Sequence, residues 1–173
     1  MKAENFLQSA IQQFKDYKNL GDKTFAQLDE KDFHFSPDEY NNSIAINITH
    51  MHGNMLSRWT NFLTEDGEKE WRRRDAEFEQ EHFSREQLLQ LWEEGWKVLL
   101  DAMQSLAAAD LDKTIYIRTK PLTVIEAVHR QLTHYASHVG QIIFLGKHIK
   151  GAHWKTLSIA KGESKQFNEK MKN

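Results

Sequence analysis

The chain contains no cysteine, which excludes disulfides, thiolate nucleophiles and cysteine-ligated zinc. It has only two prolines, Pro37 and Pro121, so long uninterrupted helices are permitted almost everywhere. No stretch approaches the ~18 consecutive apolar residues of a membrane span. The opening Met1-Lys2-Ala3-Glu4-Asn5-Phe6 lacks the apolar run of a secretory leader. The expectation is a cytoplasmic protein with no membrane partner. An excess of one charge is also missing: 23 Lys and Arg stand against 25 Asp and Glu, a formal net charge of -2. A general nucleic-acid binder would carry a basic excess, so no nucleic-acid partner is expected. What is present is 173 residues, 39% hydrophobic and 28% charged, with nine histidines. That suits one folded domain over residues 1–173 with a substantial core.

Apolar spacing divides the chain into four long helical segments. Residues 4–20 carry Phe6, Leu7, Ala10, Ile11, Phe14 and Tyr17 at helical intervals, with Gly21 suited to a stop. Thr24 to Leu28 reads as a further turn, and Asp29 to Phe35 as a connector. Ser36-Pro37-Asp38-Glu39 has the features of a capped single turn over 37–40. A second helix is expected from Ser43 to Leu63, with Ile44, Ile48, Met51, Met55 and Trp59 inward. Gly53 inside it costs about 1 kcal/mol against alanine, which close approach of a neighbouring helix would explain. Ser84-Arg85-Glu86-Gln87 is a capping box opening a third helix over 85–106. Thr114 to Arg118 alternates like a strand and reads as extended or a short hairpin. Thr123 and Glu126 form another capping box, opening a fourth helix that runs to His148 or Lys150 and stops at Gly151. An irregular tail follows, with Trp154, Leu157 and Ile159 packing back on the body. The fold class is therefore all-α, a four-helix bundle with a short irregular C-terminal tail.

The chemistry lies in the histidines. His134 and His138 are four apart on the fourth helix, so both rings can face one point. No glutamate separates them in the manner of a helical H-E-x-x-H site. A third ligand is offered by the second helix through His50 or His52. These differ by about 200° around a helix, so only one can face the site. His129 lies on a neighbouring face of the fourth helix, and His34, His82, His148 and His153 read as surface residues. Three neutral imidazoles with an open position suit Zn²⁺, Ni²⁺ or Fe²⁺. Arg58 and Arg118 are candidates for holding a substrate carboxylate, or for ordinary salt bridges. Arg72-Arg73-Arg74 among acidic neighbours reads as a solvated, self-neutralising loop, the alternative being a phosphate- or carboxylate-binding role for one of the three. No general base is evident, since Asn54, Gln131 and Gln141 do not titrate.

The pattern of Ile48-Thr49-His50-Met51-His52 followed by His134-Tyr135-Ala136-Ser137-His138 resembles the DinB-like (YfiT-like) proteins. So do Gly53-Asn54-Met55-Leu56-Ser57-Arg58-Trp59, Asp66-Gly67-Glu68-Lys69 and His138-Val139-Gly140-Gln141-Ile142. The resemblance covers nearly the whole chain and points to a bacterial branch of that group. It implies a four-helix bundle with a three-histidine divalent-metal site and, by analogy, a homodimer. Its metal ligands fall on His134 and His138 and best on His50, with His52 close enough to stay in contention. The group includes transferases that use bacillithiol or mycothiol. The activity implied is thus metal-dependent S-transfer with a small-molecule partner, a low-molecular-weight thiol. The alternatives are a metal-dependent hydrolase and a non-catalytic, stress-associated metal-binding dimer.

Overall fold

A computed structural model describes residues 2–79 and 83–172 of the chain. Four long helices carry the fold: α1 (Lys2–Phe25), α3 (Ile44–Trp59), α4 (Arg85–Ser105) and α5 (Val124–Lys150). Two shorter ones, α2 (Glu30–Phe33) and α6 (Ser164–Lys170), sit beside them. The only sheet among the described residues is a hairpin of β1 (Thr114–Ile117) and β2 (Lys120–Thr123), paired antiparallel with Thr114 opposite Thr123. The all-α bundle expected from the apolar spacing is the fold observed.

The starts of the long helices are encoded locally. Ser43 caps α3 by accepting from the Ile46 amide, and the boxes Ser84/Gln87 and Thr123/Glu126 are both formed at α4 and α5. Each satisfies amide donors that would otherwise be orphaned in the first turn. The long helices then meet at an aromatic cluster to which each contributes one ring. Phe14 of α1 stands edge-on to Trp59 of α3 (centroids 6.3 Å apart) and to Trp96 of α4 (6.5 Å), and Trp96 meets Tyr135 of α5 at 5.9 Å. All four rings are buried. Edge-to-face pairs of this kind add about 0.5–1.5 kcal/mol each beyond the area they bury.

Several local expectations are corrected. Gly21 does not stop α1, which runs through it to Phe25. The Trp92 ring of α4 lies against its backbone, where a Cβ would be 2.7 Å from Trp92 Cη2. That glycine serves close packing and not a cap. The segment 37–40 forms bends and a turn instead of a helical turn. Ser36 Oγ donates to the carbonyls of Asp38 and Asn41, so it is spent as a donor and caps nothing. Helix α3 ends at Trp59, short of Leu63, because Thr60 is extended and Asn61 takes a left-handed φ of 50°. The connector Asp29–Phe35 contains α2, and the tail contains α6, neither of which the sequence reading anticipated.

The hairpin resolves the alternative left open for Thr114–Arg118. Its two-residue loop places Arg118 and Thr119 at φ 55° and 63°, the geometry of a tight hairpin turn. The Asp66 carboxylate accepts from both loop amides, at 2.8 and 2.7 Å. The Gly67 amide donates to the Tyr116 carbonyl at 2.8 Å. The loop after α3 is thereby tied to the hairpin before α5.

Candidate metal centre

His50 on α3 and His134 and His138 on α5 converge. The Nε2 atoms of His50 and His134 lie 3.4 Å apart, those of His138 and His134 3.1 Å apart, and one ring nitrogen from each histidine lies within 4.8 Å of the others. Three nitrogens bound tetrahedrally at ~2.05 Å would stand about 3.3 Å from one another. The spacing is that of a metal-ligand set.

The opposite ring edges show how these nitrogens could serve a cation. His50 Nδ1 faces Glu77 Oε2 at 2.9 Å and His138 Nδ1 faces Asn47 Oδ1 at 2.8 Å. Asn47 Nδ2 donates to the Ser43 carbonyl, which fixes the amide so that its oxygen points at His138. A carboxylate and an amide oxygen only accept here, so both Nδ1 atoms carry a proton, and in the neutral form of each ring Nε2 presents a bare lone pair. His134 can offer at most one N–H to them. A divalent ion satisfies all three together, and hydrogen-bonded partners behind ligating histidines are the usual means of orienting them.

Burial and neighbouring charge keep the His134 and His138 rings neutral. Burial first, and then the neighbouring His138, His50, Arg130 and Arg58, push His134 down to about 3. Burial followed by His50 takes His138 down to about 4. Metal binding therefore meets no proton competition from these two at neutral pH.

Glu77 and Asn47 are the site residues that sequence reasoning missed, and Glu77 is the charged one. It lies in a short 3-10 turn, Asp75–Phe78, in the connector between α3 and α4. Burial pushes its carboxyl up, but hydrogen bonds from Arg72 and His50 outweigh this and hold the pKa below the usual value. Arg72 grips it bidentately, Nε to Oε1 at 2.7 Å and Nη2 to Oε2 at 2.8 Å. Thr49 Oγ1 donates to the Glu77 carbonyl at 2.8 Å, and the Phe78 ring covers His50 with centroids 4.7 Å apart. The arginine triplet is thus not uniformly solvated: the Arg72 side chain is 2% exposed, whereas Arg73 and Arg74 face solvent. The one available signal was a charged run too dense for a passive loop, and it did not say which charge turned inward.

Gly53 is explained by the same carboxylate. A Cβ there would stand 2.8 Å from Glu77 Cδ, so the side chain lies across the helix where only glycine leaves room. Close approach of a neighbouring helix to α3 is instead made by Gly95 of α4, whose notional Cβ would be 3.2 Å from the His52 Cα.

The other histidines lie elsewhere. His52 faces away from the centre and pairs with Glu94 at 2.9 Å. His129 is exposed, edge-on to Phe6. His34 is half-buried, with Nε2 at 2.9 Å from the Phe83 carbonyl, which corrects its reading as a surface residue. His148 and His153 are exposed, and His82 lies outside the described residues. Arg58 and Arg118 both pair with Glu68, at 3.0 and 2.9 Å, yet Arg58 is buried and Arg118 is not. Asn54 accepts from the Tyr135 hydroxyl at 3.0 Å, which in turn accepts from Trp59 Nε1 at 3.2 Å.

No helix among the described residues is long and apolar enough to cross a membrane. A family model described as "Protein of unknown function (DUF1572)" matches residues 1–163. No curated protein matches the chain.

Proposed function

The chain belongs to the DUF1572 family, and we propose that it is a divalent-metal enzyme whose ligands are His50, His134 and His138. The observation that carries this reading is the convergence of three histidines, with His134 Nε2 3.4 Å from His50 Nε2 and 3.1 Å from His138 Nε2 and all three within 4.8 Å, while two of the opposite nitrogens are locked by Glu77 and Asn47. The site's resemblance to DinB-like centres supports the same conclusion and favours thiol S-transfer over hydrolysis. A divalent ion with an open position lowers the pKa of a bound thiol or water. Glu77 is committed to His50 and Arg72, so its role is to orient a ligand and not to take a proton from water. A substrate that brings its own thiol needs no such base and suits a chain without cysteine. Zn²⁺, Ni²⁺ and Fe²⁺ all suit three imidazoles. The whole chain is taken as one cytoplasmic domain, acting as a homodimer on a small molecule and not on nucleic acid.

Elemental analysis of the purified protein, with melting before and after chelation, tests the reading. The expected result is about one divalent ion per chain, as a three-ligand catalytic site holds, lost from the His134→Ala/His138→Ala variant. Absence of metal under every loading condition would refute it. A tightly held ion with no exchangeable position would leave a metal protein but not an enzyme.

A further inference from the structure

The facing surfaces of α3 and α5 continue beyond the metal centre as one polar seam. Asn47 meets His138, His50 meets His134, and Asn54 meets Tyr135. From Asn47/His138 to Asn54/Tyr135 the numbers rise on α3 and fall on α5, so the two helices run antiparallel along the seam. One turn beyond Asn54 on α3 is Arg58, and one turn before Tyr135 on α5 is Gln131, so stepping on from the Asn54–Tyr135 bond places these two on the facing surfaces at the next level of the seam.

This end of the seam holds polar groups that the protein leaves unpaired. Gln131 is 1% exposed, and neither its Nε2 nor its Oε1 has a partner among the described residues. Arg58 is 4% exposed; its Nη1 donates to the Gly67 carbonyl and Ser57 Oγ and its Nη2 to Glu68, but its Nε has no acceptor. Arg72 spends Nε and Nη2 on Glu77 and leaves Nη1 buried and unpartnered. Arg130, one turn before His134, has no ionic partner among the described residues. Burial and then the charge of Arg72 lower the Arg58 pKa, with Arg130 adding to the effect, so Arg72 and Arg130 each lie within electrostatic reach of Arg58. Arg58 and Arg72 each already face a carboxylate, Glu68 and Glu77, yet each keeps one buried N–H without an acceptor beside the unpaired Gln131 amide; buried donors ordinarily find an acceptor, and guanidinium forks match the planar or tetrahedral oxygens of an oxyanion.

We propose that Arg58 and Gln131, flanked by Arg72 and Arg130, form an oxyanion subsite that receives the carboxylate or phosphate of the substrate whose reacting end lies at the three histidines. The subsite rests on the metal-centre reading only for where the reacting end lies. It makes the substrate class a small anionic molecule with its charged group offset along the seam from its metal-directed group. Neutral thiols or esters would leave the buried donors unsatisfied.

The test uses the full chain, metal-free and cobalt-loaded. Side-chain N–H resonances of Arg58 (Nε–H) and Gln131 (Nε2 amide) are followed by NMR as inorganic phosphate is added to the metal-free protein, with chloride at matched ionic strength as control. Saturable movement of both with phosphate but not chloride is expected. Arg130→Ala, at an exposed position, should weaken phosphate several-fold. Acetate in place of phosphate decides which oxyanion the subsite prefers. Resonances that stay still, or move equally with chloride, overturn the subsite. Cobalt uptake, read from its visible absorption, is scored separately. Cobalt bound without a phosphate response removes the subsite and leaves the metal centre. A phosphate response without cobalt uptake keeps the anion subsite and removes the metal centre.

Discussion

Replacing Gly53 with alanine should destabilise this protein, although the helix-propensity scale predicts the opposite. Gly53 lies within α3, where alanine would gain about 1 kcal/mol from reduced chain entropy and better helix formation. The new methyl group, however, would sit 2.8 Å from Glu77 Cδ and 3.3 Å from Glu77 Cγ. A glutamate tip can usually swing aside at little cost, but this one is held by three hydrogen bonds, two from Arg72 at 2.7 and 2.8 Å and one from His50 at 2.9 Å. Bonds to charged groups contribute about 1.5–3 kcal/mol each. Displacing the carboxylate enough to lose one or two of them outweighs the helix gain and leaves a net loss of about 0.5–5 kcal/mol. His50 would also lose the acceptor that orients it, so metal affinity should fall with stability. Denaturant melts of four proteins check this: the native chain, Gly53→Ala, Glu77→Ala and the double variant. In the Glu77→Ala background the obstruction is gone, and Gly53→Ala should then stabilise by up to about 1 kcal/mol. The sign should reverse across the cycle. A Gly53→Ala protein more stable than the native one would refute the argument.

Other outcomes follow from the same geometry. His138→Ala should abolish metal binding, whereas His52→Ala, which loses only an outward pair with Glu94, should retain it; elemental analysis of the two variants decides the ligand assignment. The metal-free protein should lose stability as pH falls. His134 and His138 are lowered in the fold to about 3 and about 4, while the unfolded chain takes up those protons near the ordinary value of about 6.5. Their contribution is therefore complete above about 6.5 and is lost progressively as pH drops through the window toward the folded values. Glu77, held below its usual pKa, acts in the same direction at the acid end, so a melting temperature unchanged between about pH 7 and pH 5 would contradict the neutral-imidazole picture. Tyr135→Phe should cost about 1–3 kcal/mol by leaving the Asn54 oxygen and the Trp59 N–H unpaired, while the metal is retained.

The bundle was legible in the sequence because its signals are local. Capping boxes at Ser84/Gln87 and Thr123/Glu126 and the 3–4 spacing of apolar residues act within one or two helical turns. The i,i+4 pair His134/His138 is likewise a property of a single helix. Spacing also showed that His50 and His52 could not both face one centre, though choosing between them depended on resemblance. Tertiary packing decided the rest. Gly21 has the appearance of a stop in any local reading, yet the Trp92 ring, 71 residues away in the chain, makes it a packing position. Gly53 is permitted by Glu77 from a connector whose path no periodicity describes. Arg72, Arg73 and Arg74 are chemically identical in sequence, but only the first turns inward, because only it meets a buried carboxylate. Composition and periodicity determine which residues form helices and which faces are apolar. The partner of each buried charge is set by desolvation, whose penalty exists only once distant segments have closed around it.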